Sequence, residues 1–500
     1  MNAPIIDLNY YMKKKNELSI KSKAFIGGQF VDSVSGKTFE TISPVDGNLI
    51  TCVSECDAAD VDQAVAAARR AFEKGVWRNL APSVRKATML KWADLIEKHA
   101  VELALLDVID MGKPISDALR IDMPGTIVCY RWYAEAIDKL YDEIGPSDPG
   151  RVVMIMREPL GVVGAVVPWN FPMMMTAWKV APAIIAGNSV VLKPAEQSPL
   201  SALRLGELAA EAGIPEGVFN VVPGYGPTAG QALGRHQDVD CIAFTGSSEV
   251  GKLFLKYSAE SNMKSVNLEC GGKSPHIIMA DAPNLDAAAT AAAWAVFFNQ
   301  GEACNAGTRL LVEESVKDQV LEKIVTIGRD IRVGNPLDPT TQMGAIVDDT
   351  QMNRVMNYIE SGKSCGAKLI LGGNRLHQET GGHYIAPTVF DKVDNSMAIA
   401  QEEIFGPVLS TIPFRDTEDA IKISNDTVYG LYAAVWTSDI NKAFRVIRGV
   451  RAGAVNVNTY SGGDISTPFG GFKQSGYGRD KSLHALEKYT ALKASCIVLS

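Results

Sequence analysis

Apolar residues recur at helical spacing along three early stretches of the chain. They alternate with charged residues within positions 58–74, 83–111 and 115–142. A spacing of about three to four residues places the apolar side chains on one face of a helix. The pattern therefore predicts three long amphipathic helices before residue 142.

Short apolar runs begin near residue 160 and alternate with helical segments. The runs are 162–167, 190–192, 219–222, 241–244 and 265–268, and helices are predicted at 173–186, 199–212, 228–234 and 249–261. Repeated strand–helix units need right-handed crossovers and therefore form a parallel sheet. The sequence thus predicts an α/β fold, in which ligands bind beyond the carboxyl ends of the strands.

Polar and small side chains follow these strands at the ends where ligands are expected. In chain order they are Trp169 and Asn170, Lys193 and Glu196, Gly226, Gly246 and Ser247, and Glu269. The carboxyl ends of parallel strands share one edge of a sheet, so these side chains are predicted to converge there.

Three of these turns have both a chemical role and an ordinary alternative. Gly246 and Ser247 open a helix whose amides can hold a phosphate, although such turns also occur in proteins that bind none. Lys193 and Glu196 can bridge ribose hydroxyls, or they form a surface ion pair. The Asn170 amide can donate to an oxyanion, or it caps the helix that follows.

Cys304 lies between a helical stretch, 285–298, and a strand-like run, 308–313, and small residues flank it. Its thiol can attack a carbonyl while the Glu269 carboxylate deprotonates water, which permits covalent catalysis with hydrolysis. A free cysteine is more often a small buried residue. We give that ordinary interpretation to the other seven: Cys52, Cys56, Cys129, Cys241, Cys270, Cys365 and Cys496.

Composition narrows the class of protein. The chain has 500 residues, and its formal net charge of −8 argues against nucleic acid as a partner. No cysteine pattern of metal-binding type is found, so no metal is expected. The first 20 residues lack the apolar core of a signal peptide, and prolines and Lys179 interrupt the longest apolar region, 161–187. The eight scattered cysteines suit a reducing compartment, so we expect no membrane partner and a cytoplasmic location.

The motifs around these residues, together with 402–407 and 468–476, resemble those of the NAD(P)-dependent aldehyde dehydrogenases over about residues 25–492. The resemblance implies a Rossmann-like parallel-sheet NAD domain, an α/β catalytic domain and a small β oligomerisation arm. It places the NAD-binding domain at 1–140 and 159–271, the catalytic domain at 272–478, and oligomerisation segments at 141–158 and 479–500. A homo-oligomer is therefore expected.

The same resemblance implies roles for individual residues. Cys304 would form a thiohemiacetal and then a thioester, Asn170 would stabilise the oxyanion, and Glu269 would activate the hydrolytic water. The cofactor would be NAD, with NADP a weaker alternative. The implied cofactor-binding residues are Trp169, Lys193, Glu196, Gly226, Phe244, Gly246, Ser247, Val250, Glu403 and Phe405.

The aldehyde tunnel implied by the resemblance is apolar and aromatic, with an acidic mouth. Its residues would be Phe171, Met175, Trp178, Ala303, Asn305 and Phe469, with Asp464, Asp107 and Asp110 at the mouth. The chain is especially similar to bacterial gamma-glutamyl-gamma-aminobutyraldehyde and 4-guanidinobutyraldehyde dehydrogenases of polyamine catabolism. An amino-, gamma-glutamylamino- or guanidino-substituted aldehyde, or a small hydroxyaldehyde, is the expected substrate.

Other interpretations remain open at this point. A broad-specificity or betaine-aldehyde-type dehydrogenase would share these motifs. A CoA-acylating relative would lack Glu269, and a non-catalytic member would lose Cys304 or Glu269, whereas both are present. Cys270, beside Glu269, is expected to point into the sheet rather than toward Cys304.

Overall fold

The computed structural model describes residues 6–499. Residues 1–5 of the predicted first domain and residue 500 of the predicted C-terminal segment lie outside the described residues. Within the described range the strands form an eight-stranded, a seven-stranded and a three-stranded sheet, with two further two-stranded ribbons. Helices pack on the larger sheets, so the predicted α/β fold is confirmed.

The strands between residues 6 and 499 are, in chain order, β1 (Ala24–Ile26), β2 (Gln29–Val31), β3 (Thr38–Ile42), β4 (Leu49–Ser54), β5 (Glu143–Gly145), β6 (Arg151–Pro159), β7 (Val162–Val166), β8 (Ser189–Lys193), β9 (Phe219–Val221), β10 (Cys241–Thr245), β11 (Ser265–Glu269), β12 (Pro275–Ile278), β13 (Arg309–Glu313), β14 (Lys368–Leu371), β15 (Arg375–Leu376), β16 (Tyr384–Ile385), β17 (Thr388–Asp391), β18 (Val408–Phe414), β19 (Tyr432–Trp436), β20 (Ala454–Val457), β21 (Gly476–Tyr477) and β22 (Thr490–Val498).

The α-helices in the same range are α1 (Leu8–Asn16), α2 (Ala58–Lys74), α3 (Pro82–Lys98), α4 (Ala100–Met111), α5 (Ile115–Asp117), α6 (Met123–Ala136), α7 (Pro172–Ile185), α8 (Leu200–Ala212), α9 (Gln231–Arg235), α10 (Ser248–Ala259), α11 (Leu285–Phe297), α12 (Lys317–Asp330), α13 (Asp349–Ser364), α14 (Ala398–Gln401), α15 (Thr417–Asn425) and α16 (Ile440–Gly449). None of these helices is long and apolar enough to cross a membrane.

The eight-stranded sheet carries most of the predicted ligand-binding turns. Its order is β2-β1-β9-β8-β7-β10-β11-β21. The five strands from β9 to β11 run parallel, as the strand–helix pattern predicted, while β1 and β21 add antiparallel edges. Strands β7, β8 and β10 are buried along their whole length, which explains their continuous apolar sequence.

The seven-stranded sheet contains only residues from the predicted catalytic domain. Its order is β14-β17-β18-β13-β12-β19-β20, and every pairing except that of β14 with β17 is parallel. Strand β21 lies within the predicted catalytic range but pairs with β11 of the first sheet. This pairing brings the chain after residue 470 back against the end of β11, where Glu269 lies.

The predicted oligomerisation segments, 141–158 and 479–500, contribute neighbouring strands to one sheet. These strands are β6 and β22, which pair antiparallel in a three-stranded sheet of order β22-β6-β5. Leu492 and Val498 of β22 and Ile144 of β5 are exposed. The sheet therefore presents apolar residues and two unpaired strand edges to the surroundings.

Two of the three long helices predicted before residue 142 are broken. The segment 83–111 is split into α3 and α4 at His99, whose φ of −103° and ψ of 16° depart from helical values. The segment 115–142 consists of α5, a π-helical turn at Ala118–Asp122, and α6, which ends at Ala136. A regular apolar spacing continues across both breaks, and no glycine or proline stands at His99 to mark one of them.

Candidate active site

Two cavities border the segment that carries Cys304, and a third shares residues 168–169 and 245–247 with one of them. The first has a volume of about 160 Å³, and Cys304 is part of its wall. Predicted residues that share this wall are Trp169, Asn170, Met175, Gly246, Ser247, Glu403 and Phe405. Two larger cavities lie on either side, one beside Lys193 and one beside Asn305.

The loop before Cys304 is held by its own polar side chains. Helix α11 ends at Phe297, and Asn299 and Gln300 then adopt left-handed backbone angles, with φ values of 50° and 57°. The Asn299 amide donates to the main-chain carbonyl of Glu302 over 3.0 Å, and the Glu302 carboxylate accepts from the Val347 amide over 3.1 Å. These buried contacts fix the backbone that presents the thiol.

Asn170 lies against the same loop. Its Nδ2 donates a 2.8 Å hydrogen bond to the main-chain carbonyl of Glu302, and its own carbonyl accepts from Asn299 over 3.1 Å. The residue is buried yet borders the cavity beside Cys304. Its side-chain amide therefore acts as a donor near the thiol, and it does not act as a cap for α7, which has no side-chain cap hydrogen bond.

The Cys304 thiol is in a low-polarity environment that disfavours its thiolate form. Burial raises the pKa of the Cys304 thiol to about 12, and the carboxylates of Glu403 and Glu269 add to the rise. The side chain is nevertheless partly exposed to the cavity. Since the thiolate is the nucleophilic form, the proton must be removed when the substrate is attacked.

Glu269 ends β11 just behind this cavity. Burial raises the pKa of its carboxyl well above the usual value, and the charge of Asp480 raises it further, while Lys179 opposes the rise. Neither carboxyl oxygen has a hydrogen-bond partner among the described residues. A Cβ atom placed on Gly470 would lie 2.7 Å from Glu269 Oε1, so the carboxyl packs against that main chain rather than in the cavity wall.

Glu403 and Phe405 form the far side of the first cavity. Glu403 Oε1 accepts from the Gly272 amide over 3.2 Å, and burial raises the pKa of this carboxyl to about 7. The Phe405 ring meets that of Trp169 edge-on at 5.2 Å. Phe405 has a positive φ of 60°, and its carbonyl accepts from the Gln351 side chain over 2.8 Å.

Two residues of this wall, Gln351 and Arg354, lie outside every motif singled out in the sequence. Gln351 holds the backbone of Phe405, and Arg354 donates to the Glu403 carbonyl over 2.9 Å. Both lie on α13, whose ordinary amphipathic pattern gave no sign of a site. Their role is visible only once α13 is packed beside residues 403–405.

The second cavity has a volume of about 490 Å³ and lies along the carboxyl ends of β7, β8 and β10. Lys193 donates to Glu196 over 2.9 Å at its edge. Ser247 caps α10 by accepting from the Val250 amide over 3.3 Å. The predicted residues in this wall are Trp169, Lys193, Glu196, Gly226, Phe244, Gly246, Ser247 and Val250.

This cleft fits a dinucleotide on structural grounds. Space within 4 Å of a Cβ placed on Gly226 is open, which leaves room for a ligand. A Cβ on Gly246 would lie 2.5 Å from the Phe244 ring, so only glycine keeps the main chain this close to that wall. The α10 amides behind Ser247 suit a pyrophosphate, and the Glu196 carboxylate suits ribose hydroxyls.

The third cavity has a volume of about 510 Å³, and a group of aromatic residues forms part of its wall. Ala303 and Asn305, the neighbours of Cys304, also line it. Four aromatic residues line it: Trp294, Phe298, Trp436 and Tyr460. Tyr460 and Ser461 lie close in sequence to Asp464, which was predicted at the mouth, whereas Trp294, Phe298 and Trp436 were missed.

Trp436 and Tyr460 are linked through a buried histidine. The Trp436 indole donates to His276 Nε2 over 2.9 Å, and the His276 and Tyr460 rings stack at 4.9 Å. Burial lowers the pKa of His276 to about 3, so the imidazole is neutral and able to accept this bond. Trp294 offered one sequence signal, because it is a large residue among the alanines of α11.

The other residues predicted for the tunnel and its mouth are not part of the three cavity walls described above. Phe171 stacks on Phe298 with 6.1 Å between ring centres, and Trp178 packs against Phe469 at 5.3 Å. Asp464 is exposed in the 459–467 loop, and hydrogen bonds from Ser466 lower the pKa of its carboxyl.

The prediction that Asp107 and Asp110 form part of an acidic mouth is wrong. Their exposed fractions are 1% and 2%, because both side chains point into the interior between α4 and its neighbours. Asp110 accepts from the Leu200 amide at the start of α8 over 3.0 Å, and Asp107 faces the Met173 amide of α7 at 3.4 Å. They act as acceptors for buried helix ends.

The Cys270 thiol packs against α10. It belongs to the buried cluster that includes Phe244, Phe254 and Leu268. Its sulfur would lie 3.0 Å from a Cβ on Gly251, which places the thiol against α10. The residue also borders the first cavity, but burial and the nearby Glu269 raise the pKa of its thiol to about 12.

Comparison with known proteins adds the family context. A family model described as "Aldehyde dehydrogenase family" matches residues 30–495. The NADP/NAD-dependent aldehyde dehydrogenase PuuC of Escherichia coli K12 is 50% identical over 492 residues, covering 98% of this chain and 99% of PuuC. All the predicted site residues fall within the matched range.

Two solved structures are also similar along the whole chain. The gamma-glutamyl-gamma-aminobutyraldehyde dehydrogenase of Burkholderia cenocepacia J2315 has a TM-score of 0.97 and 55% identity, covering 99% of this chain and 100% of its own. A mutant of the indole-3-acetaldehyde dehydrogenase AldA of P. syringae, in complex with NAD+ and IAA, has a TM-score of 0.98, 56% identity and the same coverage.

Proposed function

The chain belongs to the aldehyde dehydrogenase family, and we propose that it oxidises aldehydes bearing an amino, gamma-glutamylamino or guanidino group at Cys304. The oxidation of an aldehyde to its acid with NAD is the activity of this enzyme. One observation carries the assignment of the site: Cys304 lies in the wall of the cofactor-side cavity, while its neighbours Ala303 and Asn305 line the aromatic cavity. An aldehyde in the aromatic cavity would thus reach the thiol from the side opposite the dinucleotide cleft.

The covalent steps follow from this position. The Cys304 sulfur attacks the aldehyde carbon and forms a thiohemiacetal, whose oxygen carries the developing negative charge. The Asn170 amide and the Cys304 main-chain N–H would donate to that oxygen. The donor geometry is supported by the bond from Asn170 to the Glu302 carbonyl, which holds the amide beside the loop.

Several residues of this chain would hold the dinucleotide. Lys193 and Glu196 would bind the adenosine ribose, Ser247 the pyrophosphate, and Glu403 the nicotinamide ribose. The bound NAD supplies a hydride acceptor. The Phe405 and Trp169 rings, in contact at 5.2 Å, would close the cavity around that end of the cofactor.

Glu269 would complete turnover by taking a proton from the water that attacks the Cys304 thioester. Its raised pKa makes the carboxylate a stronger base than an exposed glutamate. The carboxyl packs against Gly470, and its charge acts on the Cys304 thiol, so the two side chains lie within electrostatic reach of each other. In a CoA-acylating enzyme, CoA rather than water would remove the acyl group from the cysteine. Formation of the acid in the absence of CoA would exclude that alternative.

NAD is proposed as the preferred cofactor over NADP. Glu196 borders the second cavity next to Lys193, where its negative charge would repel a 2′-phosphate. Lys193 is paired with Glu196 at 2.9 Å and is therefore less available to bind that phosphate.

The aldehyde class is supported by a relative and by the chemistry of the entrance. The Burkholderia cenocepacia relative is named for gamma-glutamyl-gamma-aminobutyraldehyde. The aromatic walls of the third cavity attract cationic groups as well as apolar chains. Asp464 adds an exposed carboxylate in the loop that continues from Tyr460 and Ser461.

A second candidate is an arylacetaldehyde. The aromatic lining by Trp294, Phe298 and Trp436 favours it, and the P. syringae relative is named for indole-3-acetaldehyde. A broad-specificity enzyme would accept both classes. Steady-state kinetics with 4-guanidinobutyraldehyde, octanal and phenylacetaldehyde separate these candidates, and the cationic aldehyde should have the highest kcat/KM.

The role of Asp464 can be tested in the same assay. Asp464→Asn should lower the ratio of kcat/KM between the guanidino aldehyde and octanal by about twofold to fivefold, the usual effect of an exposed charge. Asp318→Asn, an equal charge change at an exposed position of α12, is the control. A neutral aldehyde preferred by the wild-type enzyme would contradict the proposed class.

A homo-oligomer and a cytoplasmic location are further proposals. The open edges of β5 and β22, with the exposed Leu492 and Val498, support pairing between subunits. Light scattering of the purified protein gives the oligomeric state. The eight cysteines are all free, which suits a reducing compartment.

A further inference from the structure

Lys113 is a buried lysine that the mechanism above does not use. It follows α4, and neither its side chain nor that of Asp122 has exposed surface. The ammonium forms an ion pair with Asp122 and lies 4.0 Å from the centre of the Phe171 ring. An ammonium inside a protein is costly unless charged or aromatic groups surround it, so these two contacts hold it there.

The Asp122 contact leads to one wall of the aromatic cavity. Asp122 ends the π-helical turn Ala118–Asp122, and the preceding residue, Ile121, lines that cavity. A π-helical turn is less regular than an α-helix and needs side-chain contacts to fix it. The ion pair with Lys113 supplies such a contact next to Ile121.

The Phe171 contact leads to a second residue of the same cavity wall. The Phe171 ring stacks on Phe298, which lines the same cavity and begins the segment that ends at Cys304. Phe171 also directly follows Asn170, the proposed oxyanion donor. The position of the Phe171 ring therefore affects both the cavity wall and the residues beside the thiol.

The main chain around Lys113 is itself anchored. The Gly112 carbonyl accepts from the Ala345 amide over 3.1 Å, and the Ile115 amide donates to the Pro336 carbonyl over 2.8 Å. The same 336–347 segment binds the loop before Cys304 through Val347 and Glu302. Lys113 thus has a fixed position relative to the nucleophile.

We propose that Lys113 is a positioning residue that sets the width of the aldehyde cavity. Its ammonium holds Ile121 in place through Asp122 and holds Phe298 in place through Phe171, and it thereby selects which aldehydes reach Cys304. The proposal rests on the assignment of the third cavity as the aldehyde site. It predicts that loss of the ammonium changes substrate selectivity more than it changes the chemistry.

The test replaces the ammonium by an apolar side chain of similar length. Lys113→Met should lower kcat/KM for phenylacetaldehyde, relative to that for propanal, by about tenfold or more, the size of effect seen when a pocket wall moves by about a methylene group. The loss should lie mainly in KM for phenylacetaldehyde. The Kd for NAD, measured by quenching of protein fluorescence, should stay unchanged because the second cavity does not involve Lys113.

Rates are expressed per functional site, counted from the NADH burst amplitude. If Lys113 only stabilises the fold, Lys113→Met reduces the number of functional sites but leaves KM and the substrate ratio of each site unchanged. Lys317→Met is the control, because Lys317 pairs with Asp391 over 3.0 Å and neither residue lines the cavity.

A second variant keeps the test decisive if Lys113→Met does not fold. Asp122→Asn retains the shape of Asp122 and leaves the lysine in place, yet it weakens the hold on Ile121. It should shift the same substrate ratio in the same direction, and the double variant should show non-additive effects. If the wild type shows a burst and the folded variants keep the wild-type substrate ratio, this inference alone is overturned. If the wild type shows no burst, the function proposed for Cys304 is overturned.

Discussion

The side-chain amide of Asn170 donates a 2.8 Å hydrogen bond to the main-chain carbonyl of Glu302, two residues before Cys304. The bond joins the turn after β7 to the loop that carries the nucleophile, although 132 residues separate them in sequence. It also directs the amide toward the atoms that a thiohemiacetal oxygen would approach. The oxyanion donor and the nucleophile are therefore positioned by one another.

Replacement of Asn170 tests this relationship. Asn170→Ala should lower kcat by about 10² to 10³, as removal of a single oxyanion donor does. Stopped-flow absorbance should show a slower NADH burst of normal amplitude, because Cys304 and the cofactor cleft remain. A wild-type burst rate in this variant would show that Asn170 only supports the loop.

Removal of the Glu269 carboxylate should separate acylation from hydrolysis. Glu269→Gln should retain a burst of NADH, while steady-state turnover falls by about 10² to 10⁴, the usual contribution of a general base. Added hydroxylamine, which attacks a thioester without that base, should restore much of the turnover. Unchanged turnover without hydroxylamine would mean that another group activates the water.

The charge at Glu196 should determine the cofactor preference. Glu196→Gln removes the negative charge beside Lys193, and kcat/KM for NADP should rise by at least about tenfold, because two like charges in contact are strongly unfavourable. Glu249→Gln, the same charge change at an exposed position of α10, should leave the ratio of NADP to NAD activity unaltered. Equal effects of both variants would argue for a general charge effect.

Asp110 should contribute to folding rather than to substrate binding. Asp110→Ala leaves the Leu200 amide without its buried acceptor, so the free energy of unfolding should fall by about 1–3 kcal/mol. Asp110→Asn keeps an acceptor and should cost less. Neither variant should change the ratio of kcat/KM between a cationic and a neutral aldehyde. Replacement of a residue at the entrance would change that ratio.

The pH dependence of stability gives an independent check on Asp110. Burial raises the pKa of its carboxyl well above 3.8, so the folded state holds this proton more tightly than the unfolded state. The resulting contribution to the free energy of unfolding is fully present below the pKa of Asp110 in the unfolded state. It is lost as the pH rises through the pKa of Asp110 in the folded state. Denaturation at several pH values gives the free energy of unfolding at each pH. Between low and high pH this free energy should fall less for Asp110→Asn than for the wild type.

The sequence predicted the strands of the first sheet and the turns that carry its site because both follow from simple periodicity. Residues after β7, β8, β10 and β11 do meet at one edge, and Cys304 is brought to it. The aromatic cavity was harder to predict. Trp294 and Trp436 lie on separate elements, and only the packing of α11 beside β19 brings them together.

The error at Asp107 and Asp110 has a clear physical origin. Two acids three positions apart share a helix face, but the spacing does not say whether that face meets solvent or another helix end. In the structure it meets the starts of α7 and α8, whose free amides need acceptors. The break at His99 was missed for a similar reason, since tertiary packing produces it without a glycine or proline.

The central claim is that Cys304 is the single nucleophile, set between an aldehyde cavity and the dinucleotide cleft. Rapid mixing of the enzyme with NAD and a saturating aldehyde measures it most directly, with absorbance at the NADH band as the signal. We predict a burst that approaches one NADH per protein chain for the wild type, and none for Cys304→Ala with its NAD affinity intact. A burst that persists in Cys304→Ala would contradict the account.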